Sequence, residues 1–188
     1  MRVLGIAGSP RRNGNTEILL DEALRGEKES GCDVTKLILN ELEILPCQEC
    51  GGCDEIGICV VKDDMRKVFE EIERANFIVL SSPIFFGSLT AQAKVVIDRF
   101  QGWWIAKYIL KKMRDEGQKS GFFICVGGQE RPDFFNNARM IVKNFFATAS
   151  IKYVGDLYYP GINKKGEIKK CSAALKESFN VGKSFCKE

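Results

Sequence analysis

Strand-length apolar runs alternate with longer segments of helical spacing from one end of the chain to the other. The runs are "RVLGIAG" (2–8), "DVTKLIL" (33–39), "NFIVLSS" (76–82), "SGFFICVGG" (120–128) and "KYVGDLYY" (152–159). The spacing between them predicts helices over 16–30, 62–75, 90–101, 105–116, 135–148 and 168–185. Asp63 and Asp64 sit where the N-terminus of the second helix favours carboxylates. Five strands separated by helices imply a doubly wound α/β fold, a five-stranded parallel sheet covered on both faces. With 188 residues, 45% hydrophobic and 28% charged, the expectation is one domain over 1–188. No repeat or linker interrupts the pattern, and no apolar run approaches the ~18 residues of a membrane span. Met1 leads straight into the first strand, too short and wrongly flanked for a signal peptide, so a cytoplasmic protein is expected. A formal charge of +3 without a long basic block argues against nucleic acid or membrane partners.

Parallel sheets of this class bind ligands beyond the carboxyl ends of their strands, where strand order reverses. Three expected strand ends are chemically unusual. "GSPRRNGNT" (8–16) lacks the Walker spacing and is not a dinucleotide fingerprint. It offers Ser9, Asn13, Asn15 and Thr16 as short donors, Arg11 and Arg12 as charges, and free N–H groups at a helix N-terminus, a set that suits a terminal phosphate. An ordinary polar loop with an N-cap is the alternative. In "SSPIFFGSLT" (81–90), Pro83 and Gly87 shape a loop, with Ser88 beyond it, in which Ile84, Phe85 and Phe86 either cover a flat ring or pack into the core. In "VGGQERPDF" (126–134), Gly127 and Gly128 let backbone approach a ligand, and Gln129 or Glu130 can hydrogen-bond its polar edge.

"CQECGGCDEIGIC" brings Cys47, Cys50, Cys53 and Cys59 within thirteen residues of a chain without histidine. Two-residue spacings in a reducing compartment argue for metal rather than a disulfide framework. Cys32, Cys125, Cys171 and Cys186 are scattered and are expected to act as small apolar residues.

Taken together, the three strand-end segments resemble the flavodoxin-like NADPH-dependent FMN reductase family over nearly the whole chain, with "GSPRRNGNT" and "SPIFFGS" as its phosphate and isoalloxazine signatures. Within it, the C-x2-C-x2-C-x5-C motif is similar to that of the iron-sulfur flavoproteins of anaerobic archaea and bacteria. The resemblance implies a flavodoxin-like fold, bound FMN, and a 4Fe-4S cluster on Cys47, Cys50, Cys53 and Cys59, in a loop (44–61) after strand two. It further implies electrons entering from ferredoxin at the cluster and reaching FMN, with dioxygen, hydrogen peroxide or another small acceptor reduced. Homodimers or homotetramers are implied as well.

The donor chemistry agrees with the cluster, because a cubane needs four thiolates, one per iron, on backbone that curls round it, and Gly51, Gly52 and Gly57 permit the curl. Zinc is the competitor, but its four-cysteine sites usually use two C-x2-C knuckles separated by a longer loop. Cluster and flavin together couple single-electron input to two-electron chemistry, with the protein supplying orientation and electrostatics. Counting about −2 for an oxidised ligated cluster and about −2 for the FMN phosphate turns the formal +3 into roughly −1. Glu41, Glu43, Glu49, Asp54 and Glu55 either lower the cluster's potential or form a solvated acidic rim. Lys107, Lys111 and Lys112 are the candidates to meet an acidic donor, and Trp103 and Trp104 either close over a neighbouring subunit's flavin or sit in the chain's own core. Two other readings stay open: an NAD(P)H-dependent FMN or quinone reductase whose cysteine loop is structural or binds zinc, and a non-catalytic flavin-binding or zinc-stabilised module.

Overall fold

Alternation with a period of two puts one set of strand side chains on each face of a sheet, and here both sets are apolar. In the computed structural model, which describes residues 1–112 and 119–185, the strands are β1 (Arg2–Ala7), β2 (Asp33–Ile38), β3 (Phe77–Pro83), β4 (Lys119–Val126) and β5 (Ile151–Tyr159). All pair in parallel, in the order β2-β1-β3-β4-β5. Leu4, Ile6, Ile78, Leu80 and Phe123 face one core, and Val3, Ala7, Phe77, Val79, Phe122 and Ile124 face the other. The doubly wound, flavodoxin-like expectation is met.

Helices α1 (Asn15–Glu29) and α6 (Ser172–Phe185) cover one face; α2 (Met65–Arg74), α3 (Ala91–Asp98), α4 (Gln101–Trp104) and α5 (Pro132–Thr148) lie with the other core. The α1–α6 crossing is close because two glycines meet it: a Cβ at Gly26 would lie 2.2 Å from the Phe179 carbonyl oxygen, and one at Gly182 2.0 Å from that of Ala23. Glu27 is wholly buried at this seam, and burial pushes its carboxyl up to about 8.

Two sequence expectations change. The helix expected over 105–116 starts earlier, as the short α4, and then widens into a π turn over Ile105–Ile109; residues 113–116 lie outside the described residues. Cys32 is disulfide-bonded rather than a lone apolar thiol, whereas Cys125 is a buried thiol as expected, and Cys186 lies outside the described residues. No helix among the described residues is long and apolar enough to cross a membrane.

Strand order reverses between β1 and β3, which share register from Val3↔Phe77 to Ala7↔Ser81. The chain leaves β1 toward β2 on one side and continues through β3, β4 and β5 on the other. The crevice beyond their carboxyl ends is therefore bordered by 8–14 and 84–90, which fall within two of the three segments singled out from the sequence.

Candidate cofactor-binding site

The loop after β1 is pinned before it reaches α1. Gly8 N–H donates to the Ser81 carbonyl at 2.8 Å, and the Thr90 hydroxyl donates to the Gly8 carbonyl. The Arg11 N–H donates to Ser9 Oγ at 3.1 Å, and Asn13 takes a left-handed backbone (φ 54°) whose N–H donates to the Glu17 carboxylate. A cavity of about 70 Å³ opens beside the first turn of α1, lined by Ser9, Arg11, Asn15, Thr16, Pro83 and Ile84 together with Asn163 and Lys165 from the loop after β5. The first N–H groups of any helix lack intrahelical partners. Thr16 sharpens this, since its hydroxyl is buried with the residue 1% exposed and Oγ1 has no hydrogen-bond partner among the described residues. A buried unsatisfied hydroxyl costs stability unless something bonds it, and the donors around it suit an anion.

The structure divides the expected phosphate group. Arg12 and Asn13 do not line the cavity: Arg12 pairs with Glu17 and Glu41. Burial pushes the Glu17 carboxyl up, but bonds from Lys36, the Asn13 N–H and Arg12 outweigh it and hold it below its usual value. The Asn15 side chain ties two loops together, donating to the Lys164 carbonyl at 2.9 Å and accepting from the Ile168 N–H at 3.2 Å. Asn163 and Lys165 had escaped the sequence reading. The signal was present in "INKKG", a basic run following the fifth strand.

Through Ile84, Phe85, Gly128 and Asn163 this cavity joins a wider one of about 590 Å³, also lined by Phe86, Gly87, Gly127, Gln129 and Phe134. Phe85 is 40% exposed and Phe86 fully so, which sets aside the core-packing alternative for both. Phe85 and Ser88 exchange backbone hydrogen bonds at 2.9 and 3.0 Å, so Ser88 closes the turn instead of lining the cavity. Phe86 and Gly87 are both left-handed (φ 49° and 72°), and Asn137 Nδ2 holds the Gly87 carbonyl at 2.8 Å. Strained backbone and an exposed apolar ring beside a cavity are features that cluster at ligand sites.

The four motif thiols, Cys47, Cys50, Cys53 and Cys59, line a third cavity, of about 150 Å³, with Arg99, Gln101, Gly102 and Ile105. The loop reaches this shape by close backbone approach. Gly57 is left-handed (φ 71°), and a Cβ there would lie 2.5 Å from the Ala106 Cβ. Among the described residues, no group of three or more His, Cys, Asp or Glu is drawn together tightly enough for one metal ion. A single zinc holds all four thiolates at ~2.3 Å from one point, whereas a cubane spreads them over four irons. Four thiols around one shared cavity are a donor set that would suit either a zinc ion or a cubane.

Arg99, immediately after α3, was not anticipated. It is 1% exposed; its guanidinium bonds both Asp63 carboxylate oxygens (2.6 and 3.2 Å), the Leu45 carbonyl (2.7 Å) and Cys59 Sγ (3.3 Å). Asp63 therefore serves as Arg99's partner and accepts from the Met65 N–H at 3.0 Å, while Asp64 accepts from the Glu43 N–H at 2.8 Å. Glu49 and Asp54 line the cavity; Glu41 is occupied by Arg12. Lys107 spends its ammonium on the Ala147 carbonyl (2.8 Å) and Ser150 (3.0 Å); Lys111 and Lys112 of the expected docking set are exposed, with Lys112 donating to the Glu55 carbonyl at 3.5 Å. Trp103 is buried and stacks on Phe69 (5.5 Å), as the core alternative had it; Trp104 is 40% exposed.

Helix α3 joins the regions. Its N-cap Thr90 accepts from the Ala93 N–H at 3.2 Å and also bonds the β1 loop, and its other end delivers Arg99 to the cysteine cavity. Eight residues at ~1.5 Å each make it a strut of about 12 Å.

Residues 1–150 match the protein-family model described as NADPH-dependent FMN reductase. An iron-sulfur flavoprotein of Methanocaldococcus jannaschii is 33% identical over 97% of this chain and 94% of its own length. One from Archaeoglobus fulgidus is 39% identical over 99 residues, 53% of this chain and 45% of that protein. Among solved structures, the NAD(P)H:quinone oxidoreductase of Methanothermobacter marburgensis has the same fold, with a TM-score of 0.79 at 17% identity over 98% of this chain and 96% of that one. With its β2-β1-β3-β4-β5 sheet and these relatives, the chain belongs to the NADPH-dependent FMN reductase family, among its iron-sulfur flavoproteins.

Proposed function

We propose that this chain is a single-domain, cytoplasmic electron-transfer flavoprotein, taking single electrons from ferredoxin or a similar donor through a 4Fe-4S cluster and passing them by way of FMN to dioxygen, hydrogen peroxide or another small acceptor. The observation that carries the proposal is the placing of four thiols round one cavity at one end of α3, while the other end is capped into the loop that borders the expected flavin crevice. When bound, the cluster would supply one-electron and the flavin one- or two-electron chemistry.

The chain's own part is holding and shaping. Ser9, Arg11, Thr16 and Lys165 line the end of the crevice where an FMN phosphate would sit, with the Thr16 hydroxyl still to be satisfied. Pro83, Ile84, Phe85, Phe86 and Gly87 wall one side of the crevice where the ring system would lie, and Gly127, Gly128 and Gln129 bring backbone to the other. Cys47, Cys50, Cys53 and Cys59 would hold the cluster. No histidine is available, so proton delivery to an acceptor falls to water or to other side chains. Exposed Phe86, Trp104, Tyr108 and Ile109 support assembly as a homodimer or homotetramer, which light scattering would test.

Anaerobic purification followed by iron, acid-labile sulfide and flavin counts tests the reading directly, with an electron paramagnetic resonance spectrum of the reduced protein. About four iron and four sulfide per chain are expected. Zinc, or no metal, in an oxygen-free preparation would overturn the cluster. A second reading, an NAD(P)H-dependent FMN or quinone reductase with a structural or zinc-binding cysteine loop, is favoured by the width of the second cavity, about 590 Å³ and bordered by the solvent-exposed Phe86. Rapid bleaching of bound FMN by NAD(P)H in iron-free protein would select it.

A further inference from the structure

A buried arginine is costly to desolvate and is retained where its donors are used. Arg99 is 1% exposed and its charge is balanced by Asp63, itself nearly buried. A pair of that kind could be closed on itself. Instead, the fork reaches past Asp63 to three points of one loop: the Leu45 carbonyl at 2.7 Å, two residues before the first motif cysteine; Cys59 Sγ at 3.3 Å; and the Val61 carbonyl at 3.5 Å, two residues after the last. Asp63 supports the same grip, accepting from the Leu45 N–H at 2.9 Å. The two ends of the cysteine loop are thus fastened to one guanidinium at the end of α3.

We propose that Arg99 is the positioning residue of the cysteine loop, clamping its two ends together and giving the Cys59 sulfur a fixed N–H donor. The second half of this statement rests on the cluster reading; the clamp does not. An N–H donor on a cluster sulfur favours the more negative, reduced form, so Arg99, whose charge Asp63 balances, raises the reduction potential through that bond. Lysine cannot replace it fully, because one ammonium does not span the two carbonyls and the sulfur in a plane.

Removing Arg99 alone would strand a buried Asp63, so the test uses Arg99→Gln with Asp63→Asn, a neutral pair of similar volume, beside Arg99→Lys, which keeps the charge and loses the fork. Two measurements are made on the full chain after circular dichroism confirms folding. In metal-free protein, hydrogen exchange of amides 44–61 should quicken at least tenfold in both variants while the strand amides stay protected. In anaerobically loaded protein, an electron paramagnetic resonance redox titration should show the reduced-to-oxidised ratio at fixed potential falling about tenfold in the double variant, a shift of about 59 mV downward. Arg99→Lys should fall by less. Unchanged loop exchange in both variants would overturn the clamp, and an unchanged potential in a double variant that still carries its cluster would overturn the role of the sulfur hydrogen bond. Wild-type protein without iron and sulfide would remove the cluster reading and the potential role with it; the exchange experiment would still decide the clamp. A double variant that fails to fold refers the clamp to Arg99→Lys, where unchanged loop exchange overturns it.

Discussion

Replacing Thr16 by valine separates ligand binding from folding by their signs. The hydroxyl is buried at the first turn of α1 and has no partner among the described residues, although Ser9, Arg11 and Lys165 line the same cavity. In flavin-free protein its removal eliminates an unsatisfied polar atom while keeping the β-branched shape, so the fold should be neutral to about 1–2 kcal/mol more stable. With FMN bound, the same hydroxyl would donate to a phosphate oxygen, a charged acceptor, at a net value of about 1.5–3 kcal/mol. That corresponds to a loss of roughly 10- to 150-fold in affinity. Riboflavin, which has the ring system and no phosphate, should bind Thr16→Val as it binds the unsubstituted chain. Flavin fluorescence titrations of stripped protein with FMN and with riboflavin, alongside urea melts without ligand, give all three quantities. An unchanged FMN affinity, an equal loss for riboflavin, or an apoprotein destabilised by more than about 1 kcal/mol would refute the assignment of this cavity to a phosphate.

Arg11 and Arg12 should part company in the same titration: Arg11→Gln weakens FMN several-fold, whereas Arg12→Gln changes it less than about two-fold, because Arg12 is held by Glu17 and Glu41 and does not line the cavity. Gly57→Ala should cost about 1–2 kcal/mol for left-handed backbone and about 1–3 more for the contact with Ala106, read as a lowered thermal midpoint. Glu27, raised to about 8 from an ordinary 4.5, keeps a proton in the fold that the unfolded chain releases. Its contribution is therefore complete below pH 4.5 and is lost as pH rises toward 8, by about 1.4 kcal/mol per unit, and urea melts of Glu27→Gln should lack that slope.

The strand pattern was readable because it is local. A period of two in "RVLGIA" or "FIVLSS" needs only neighbouring residues, and the observed strands differ from the expected limits by two residues at most. The segment after Asp98 was harder to read: its apolar spacing suits a helix, yet the chain breaks at Arg99 and Phe100 and then widens into a π turn, where Ala106 packs on Gly57 from a loop some fifty residues earlier. The two arginines of "GSPRRNGNT" are told apart for a related reason. Two adjacent guanidiniums look alike in a sequence, and only the fold brings Glu41 up to one of them.

The sequence by itself determined the layered α/β plan, the three chemically distinct strand ends and the four-thiol motif, since each is a matter of residue type at short spacing. Tertiary structure alone decided which donors converge. Arg99 meets its partners across separations of 36, 40 and 54 residues, and the loop after β5 reaches the first turn of α1 across about 150. Contacts of that kind depend on where packing returns the chain, and no local periodicity records it.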